Sequence, residues 1–239
     1  MSETIKRITA LTLDAVMHPG MLWKCGVPLL HDRVAATLIF GIGFSPITAL
    51  ALSLMGICTL PVASLLLVIP ALTIAIGLSY YHPRHGRLMA RGYLAGIIAV
   101  TCYDSVRIPF IMAGWMNDFI PKIGVMLVGE SDHHVIVGYL WRYLGNGGGM
   151  GMAFISAFAL LRHRFLVLRL LGELKSALLF GIFVWACLIV TLKISPHGED
   201  LLFAISPTSL LLSLIGHLVF GYTLGCLANR FGPEGIQNP

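Results

Sequence analysis

Charged side chains are scarce in this sequence. Asp, Glu, Lys and Arg make up 11% of its 239 residues, against about 25% in ordinary soluble domains. A water-soluble fold of this length could not clothe its surface with so few, so the shortage points to lipid as the solvent. C-x-x-C pairs are missing too. The five cysteines, Cys25, Cys58, Cys102, Cys187 and Cys226, lie mostly in apolar runs. They read as buried thiols acting as small hydrophobes, and as a poor framework for disulfides, zinc or iron–sulfur clusters. There is no G-x-G-x-x-G between a strand and a helix and no phosphate-binding loop. The strict alternation of a membrane β-barrel is absent. The N-terminus lacks the clean apolar core and small-residue cleavage site of a signal peptide. No basic groove with interleaved aromatics accompanies the net charge of +5, so the basic excess reads as topological and nucleic acid is not expected as a partner.

What is abundant is apolar sequence: 57% of residues are hydrophobic and the mean hydropathy is +0.86. The stretch 34–79 has no charged residue. At a 1.5 Å rise it is too long for one crossing of a core roughly 30 Å thick. It reads as a hairpin of spans 34–54 and 59–79, kinked by Pro46 and Pro70. Further spans are expected near 88–115, 134–161, 176–193 and 201–228, with a polar connection and a short surface helix within 117–132. Ile5, Ile8, Leu11, Leu13 and Val16 make an apolar stripe over 4–17, which suits an interfacial amphipathic helix within an N-terminal segment 1–31. The expected fold is therefore all-α: a single-domain polytopic membrane helical bundle of about six transmembrane helices.

Loop charge adds an orientation. Arg84, Arg87 and Arg91 lie in loop 80–91, and Arg162, Arg164, Arg169 and Lys175 in loop 162–175. Connection 117–133 sets Lys122 against Asp118, Glu130 and Asp132, and 193–200 sets Lys193 against Glu199 and Asp200. Basic and acidic loops alternate, as six spans require, and the positive-inside rule puts both termini in the cytoplasm. Lys6, Arg7 and Lys24 agree. Loop 80–91 is expected to meet anionic membrane lipids.

Gly92 and Gly96, the run Gly147, Gly148, Gly149 and Gly151, and Gly216, Gly221 and Gly225 read first as surfaces for close helix packing, within the chain or between copies or membrane subunits. The run 147–151 is also a candidate ligand cradle. The stretches GYLAGIIAVTCYD and GHLVFG are similar to segments of bacterial multi-pass proteins. That resemblance identifies no activity, and a bacterial cytoplasmic (inner) membrane is the expected location.

Ionisable groups at membrane depth are functional-site candidates by default. Asp104 and Arg107 share one face of the third span, Arg142 and Asn146 one face of the fourth, and Ser213 and His217 one face of the sixth. Tyr103, Tyr139 and Tyr143 accompany them. Asp104 and Asn146 are expected within roughly 3 Å of the midplane and both arginines roughly 8 Å outward. Asp104, Arg107, Arg142, Asn146 and His217 are the expected ligand-binding or proton-relay set. Two arginines against one aspartate require a further partner, supplied by water, backbone carbonyls or an anionic ligand. On this reading the first, second and fifth spans are lipid-facing scaffold.

Two other chemistries compete. Glu130, Asp132, His133, His134, His197 and Glu199 offer imidazole and carboxylate for zinc, iron or manganese on the outer face, though the spacing matches no strong motif. His217 is a candidate single axial ligand for haem. Three functions follow: a membrane protein whose polar cavity binds or transports a small anionic or polar ligand or relays protons; a redox or metal-dependent membrane enzyme subunit; and a non-catalytic accessory subunit of a larger membrane complex. Bound metal or visible absorbance would mark the second, a co-purifying partner the third.

Overall fold

A computed structural model describes residues 31–129 and 134–231. The chain divides into two units, Met1–His31 and Asp32–Pro239, and every described helix belongs to the second. The expected N-terminal amphipathic helix, with Glu130, Asp132 and His133, lies outside the described residues.

No strand occurs among the described residues. The helices are α1 (Asp32–Leu54), α2 (Leu60–Tyr81), α3 (Pro83–Met112), α4 (Ile120–Val128), α5 (Val135–Leu161), α6 (Leu166–Ile194), α7 (Gly198–Leu201) and α8 (Pro207–Phe231). Six of them, α1, α2, α3, α5, α6 and α8, are long and apolar enough to cross a membrane. The uncharged hairpin turns where expected. Gly56 takes φ +70°, Thr59 caps α2 with extended backbone, and Pro61 sits in its first turn, where a missing N–H costs nothing.

Three boundaries differ from the sequence reading, each for a local reason. The third helix starts at Pro83, because a proline there begins a helix readily. The fifth starts at Leu166, and Gly172, at φ 69° and ψ −177°, breaks it into a short stretch and a long one. The sixth starts at Pro207, because 198–201 form the separate short helix α7. The Glu199 carboxylate then accepts the Ile205 N–H at 2.9 Å and holds the following turn. Pro70 leaves one carbonyl without a helical donor. A wider π turn over Ser64–Val68 lies just before it.

α5 is the central helix: 72% of its most apolar stretch is buried, against 50% for α1, 22% for α6 and 11% for α2. The first span is therefore not lipid-facing scaffold. It packs on α5 where Gly43 and Gly149 bring their backbones together, so that a Cβ on either would strike the other's carbonyl. α3 packs on α5 in the same way. A Cβ at Gly96 would collide with the Gly147 carbonyl, and one at Gly92 would lie 2.8 Å from the Met152 Cα. Gly221 and Gly225 meet Ala177 and Leu174 of α6. The glycine faces singled out in the sequence are thus occupied within the chain.

The connections after α1, α3 and α6 share one end of the bundle. Lys122 Nζ donates to the Asp200 carbonyl at 2.8 Å, and the Ser195 hydroxyl donates to the Leu54 carbonyl. An apolar cluster that includes Leu54, Leu60, Phe119, Ile120, Ile123, Leu192 and Leu202 closes this end. The expected surface helix is α4. It is half sunk rather than superficial, with Ile120, Ile123 and Gly124 buried and Gly124 set against the His134 carbonyl of the segment entering α5.

Candidate functional site

Just beneath that closed end, α3 and α5 bring their charges together. Asp104 and Arg107 are three apart on α3, one helical turn, and therefore face the same way. Arg107 Nε donates to Asp104 Oδ1 at 2.9 Å. Arg142 projects from α5 and grips the same carboxylate, with Nε 2.8 Å from Oδ2 and NH2 2.6 Å from Oδ1. Exposure is 1% for Asp104, 3% for Arg107 and 9% for Arg142, so these charges have left water. Such burial is tolerable only when each charge is paired and hydrogen-bonded.

The further partner is Asp118, from the connection between α3 and α4. Its Oδ1 accepts Arg107 NH1 at 3.1 Å and also the Ile120 N–H at 3.1 Å, at the start of α4. Tyr139 closes the ring: its hydroxyl accepts Arg107 NH2 at 3.1 Å and donates to Asp118 Oδ2 at 3.0 Å. Two carboxylates and two guanidiniums balance. The positive excess inferred from the spans alone is therefore met by the protein itself, and no anion is needed to offset it. Asp118 was legible as an acid two residues before a helix opened by a proline, but the sequence marks it only as a loop charge.

Depth needs revising with it. α3 and α5 are centred near residues 97 and 148, from their bounds. At 1.5 Å per residue Asp104 lies roughly 10 Å and Arg107 roughly 14 Å from the middle. The ion network belongs to one end of the bundle, within reach of a connection, whereas Asn146 and His217 lie near the middle of their helices.

The expected set therefore divides. Arg142, Asn146 and His217, with Tyr103, line an internal cavity of about 130 Å³; Asp104 and Arg107 do not. The rest of its wall is almost wholly apolar, from Phe44 and Leu50 to Val184, Leu188 and Phe220, and Ile120 and Ile123 of α4 close it toward the connection end. Tyr103 joins the two halves. The Arg142 guanidinium lies 4.6 Å from its ring centre, and the His217 ring meets it edge-on at 5.3 Å. Gly216 makes room, since a Cβ there would enter the Tyr103 ring. His217 Nδ1 lies 2.7 Å from the Ser213 carbonyl. A carbonyl only accepts, so in the neutral ring Nδ1 carries the proton and Nε2 stays an acceptor. The Ser213 hydroxyl in turn accepts Trp185 Nε1–H at 2.9 Å. Asn146 Oδ1 is buried and has no hydrogen-bond partner. It belongs, with Arg142, to a π-helical stretch, Trp141–Gly147; such local widenings are frequent at functional sites.

A cavity of about 130 Å³ falls below the roughly 300–1,000 Å³ of pockets for drug-sized ligands. It takes a few waters or a molecule of few heavy atoms, and no porphyrin, so haem on His217 does not fit. Of the proposed metal set, only His134, His197 and Glu199 are described. Among the described residues no three His, Cys, Asp or Glu side chains are grouped to hold a metal. Glu199 is engaged with the Ile205 N–H.

Comparison with known proteins finds no matching family model, curated protein or solved structure.

Proposed function

We propose that this chain is a multi-pass membrane protein whose internal cavity binds a small polar molecule without net charge. The single observation that carries the reading is the cavity that Asn146 lines together with Arg142, Tyr103 and His217, with the Asn146 side-chain oxygen a buried acceptor without a partner. An unsatisfied buried acceptor costs about 1–3 kcal/mol, and a ligand donor would recover that. His217 Nε2 adds a second acceptor in the neutral ring. Arg142 is already neutralised by Asp104, so the ligand meets a guanidinium edge but no uncompensated charge. This narrows the anionic-or-polar expectation to neutral polar. The positive-inside rule supports an orientation with the arginine-bearing loops 80–91 and 162–175 in the cytoplasm. The cavity would then lie in the outer half, under α4, in a membrane of the bacterial cytoplasmic kind.

The test is release by denaturation. Protein purified in mild detergent should carry a small polar solute detectable by mass spectrometry. Asn146→Leu and His217→Leu should each lose it while remaining monodisperse. An unmodified protein that releases no such solute, or variants that retain it equally, would sink the reading.

A further inference from the structure

A second and larger hollow lies on the other side of α5. It encloses about 860 Å³ between α1, α2, α3 and α5 and is lined almost entirely by apolar groups. Its outer wall is α2, the least buried of the spans. Along α2 it runs from Val68 to Ser79, roughly 17 Å at 1.5 Å per residue. That is about the hydrocarbon depth of one leaflet, half of a core roughly 30 Å thick. It then continues past the middle of the bundle to Val137 and Leu140.

The polar end of this groove is set by sequence. Ser79 closes it on α2 and Gly86 on α3; Arg84 and Arg87 flank Gly86 in the first turns of α3, and Arg91 lies one turn further in. None of these arginines is ion-paired with a carboxylate among the described residues. Arg87 directly follows the lining residue Gly86 and precedes the lining residue Ala90 by three positions, so it flanks the end of the groove on α3. An apolar slot at least one leaflet deep, with guanidiniums beside its end that no carboxylate among the described residues pairs, matches one class of molecule. We propose that the groove holds an acyl chain of one anionic phospholipid, whose phosphate is bound by Arg84 and Arg87 at the mouth. Arginine's planar fork suits phosphate oxygens, and the chain fills a hollow that packing leaves open. The site is separate from the small cavity and does not depend on it.

The experiment is native mass spectrometry of delipidated protein titrated with dioleoyl phosphatidylglycerol and, separately, dioleoyl phosphatidylcholine. One phosphatidylglycerol should bind ahead of any further adducts, and more tightly than phosphatidylcholine. Arg84→Gln and Arg87→Gln should each weaken phosphatidylglycerol by about fivefold, the scale of one basic residue near a charged lipid surface, and leave phosphatidylcholine unchanged. Ala90→Trp fills the slot from an exposed, lipid-side position and should abolish the first adduct with all arginines in place. Equal binding of the two lipids overturns the proposal. So does indifference to Ala90→Trp, which would mean headgroup attraction without a seated chain. A dimer whose dissociation is needed before lipid binds would mean that a second copy covers the groove.

Discussion

Asp104 receives hydrogen bonds from two guanidiniums and is the most buried of the ionised groups described. Removing its charge leaves two buried arginines facing one remaining carboxylate, Asp118. Breaking a buried pair from one side costs about 3–5 kcal/mol, whereas replacing both partners with apolar groups is often neutral. Asp104→Asn should therefore lower stability in detergent by about 3–5 kcal/mol, read by thermal or denaturant unfolding. Asp104→Leu combined with Arg142→Leu should be milder than the single change, because Arg107 keeps Asp118 and Tyr139. If the double variant is the worse of the two, the network is not a balanced set of pairs. At this scale the sequence showed Asp104, Arg107 and Arg142 plainly, since charge in a long apolar run stands out. Charge arithmetic also required a further partner. It could not say that the partner is Asp118, because a loop aspartate looks the same whether it faces water or folds back over the helix ends.

Helix α5 carries one charge, one asparagine and five glycines of a single run, Gly145 to Gly151, and these shape both hollows. Its glycines bring α1 and α3 close, and its π stretch holds Arg142 and Asn146 toward the small cavity. Gly96→Ala should destabilise the bundle by about 1–3 kcal/mol, the usual cost of overpacking, since the new methyl meets the Gly147 backbone. Gly77→Ala on α2, where a Cβ meets nothing within 4 Å, should be neutral or slightly stabilising, as alanine is the better helix former. Paired unfolding curves of the two variants check this, and equal losses would refute the interlock. The spans were legible because about 20 apolar residues have few other uses. The burial of α1 was not. Past Asp32 and Arg33 its sequence is as uncharged as that of α2, and Gly43, one small residue among many, is no clear mark of the face that meets α5. Gly172 was hidden for a related reason, since a glycine near a span's start signals a break only when its φ is known.

Across the whole molecule, connections alternate between ends as the loop charges do. If orientation follows the positive-inside rule, a cysteine replacing His197 should react with a membrane-impermeant maleimide in intact cells. One replacing Arg164 should react only after permeabilisation, on a background with the five native cysteines changed to serine. Both positions are exposed, so the reverse pattern would invert the assignment. The charge balance at Asp104 also has a bearing on how the chain is assembled. α3 carries Asp104 with Arg107 and can enter lipid with that pair already neutralised. α5 brings Arg142 as its lone charge, a penalty below the roughly 2.5–3.5 kcal/mol of a helix centre until a carboxylate is met. Synthesis delivers α3 first. The third helix is then a docking partner for the fifth during insertion, so a chain without Asp104 should insert its fourth span less efficiently as well as fold less stably.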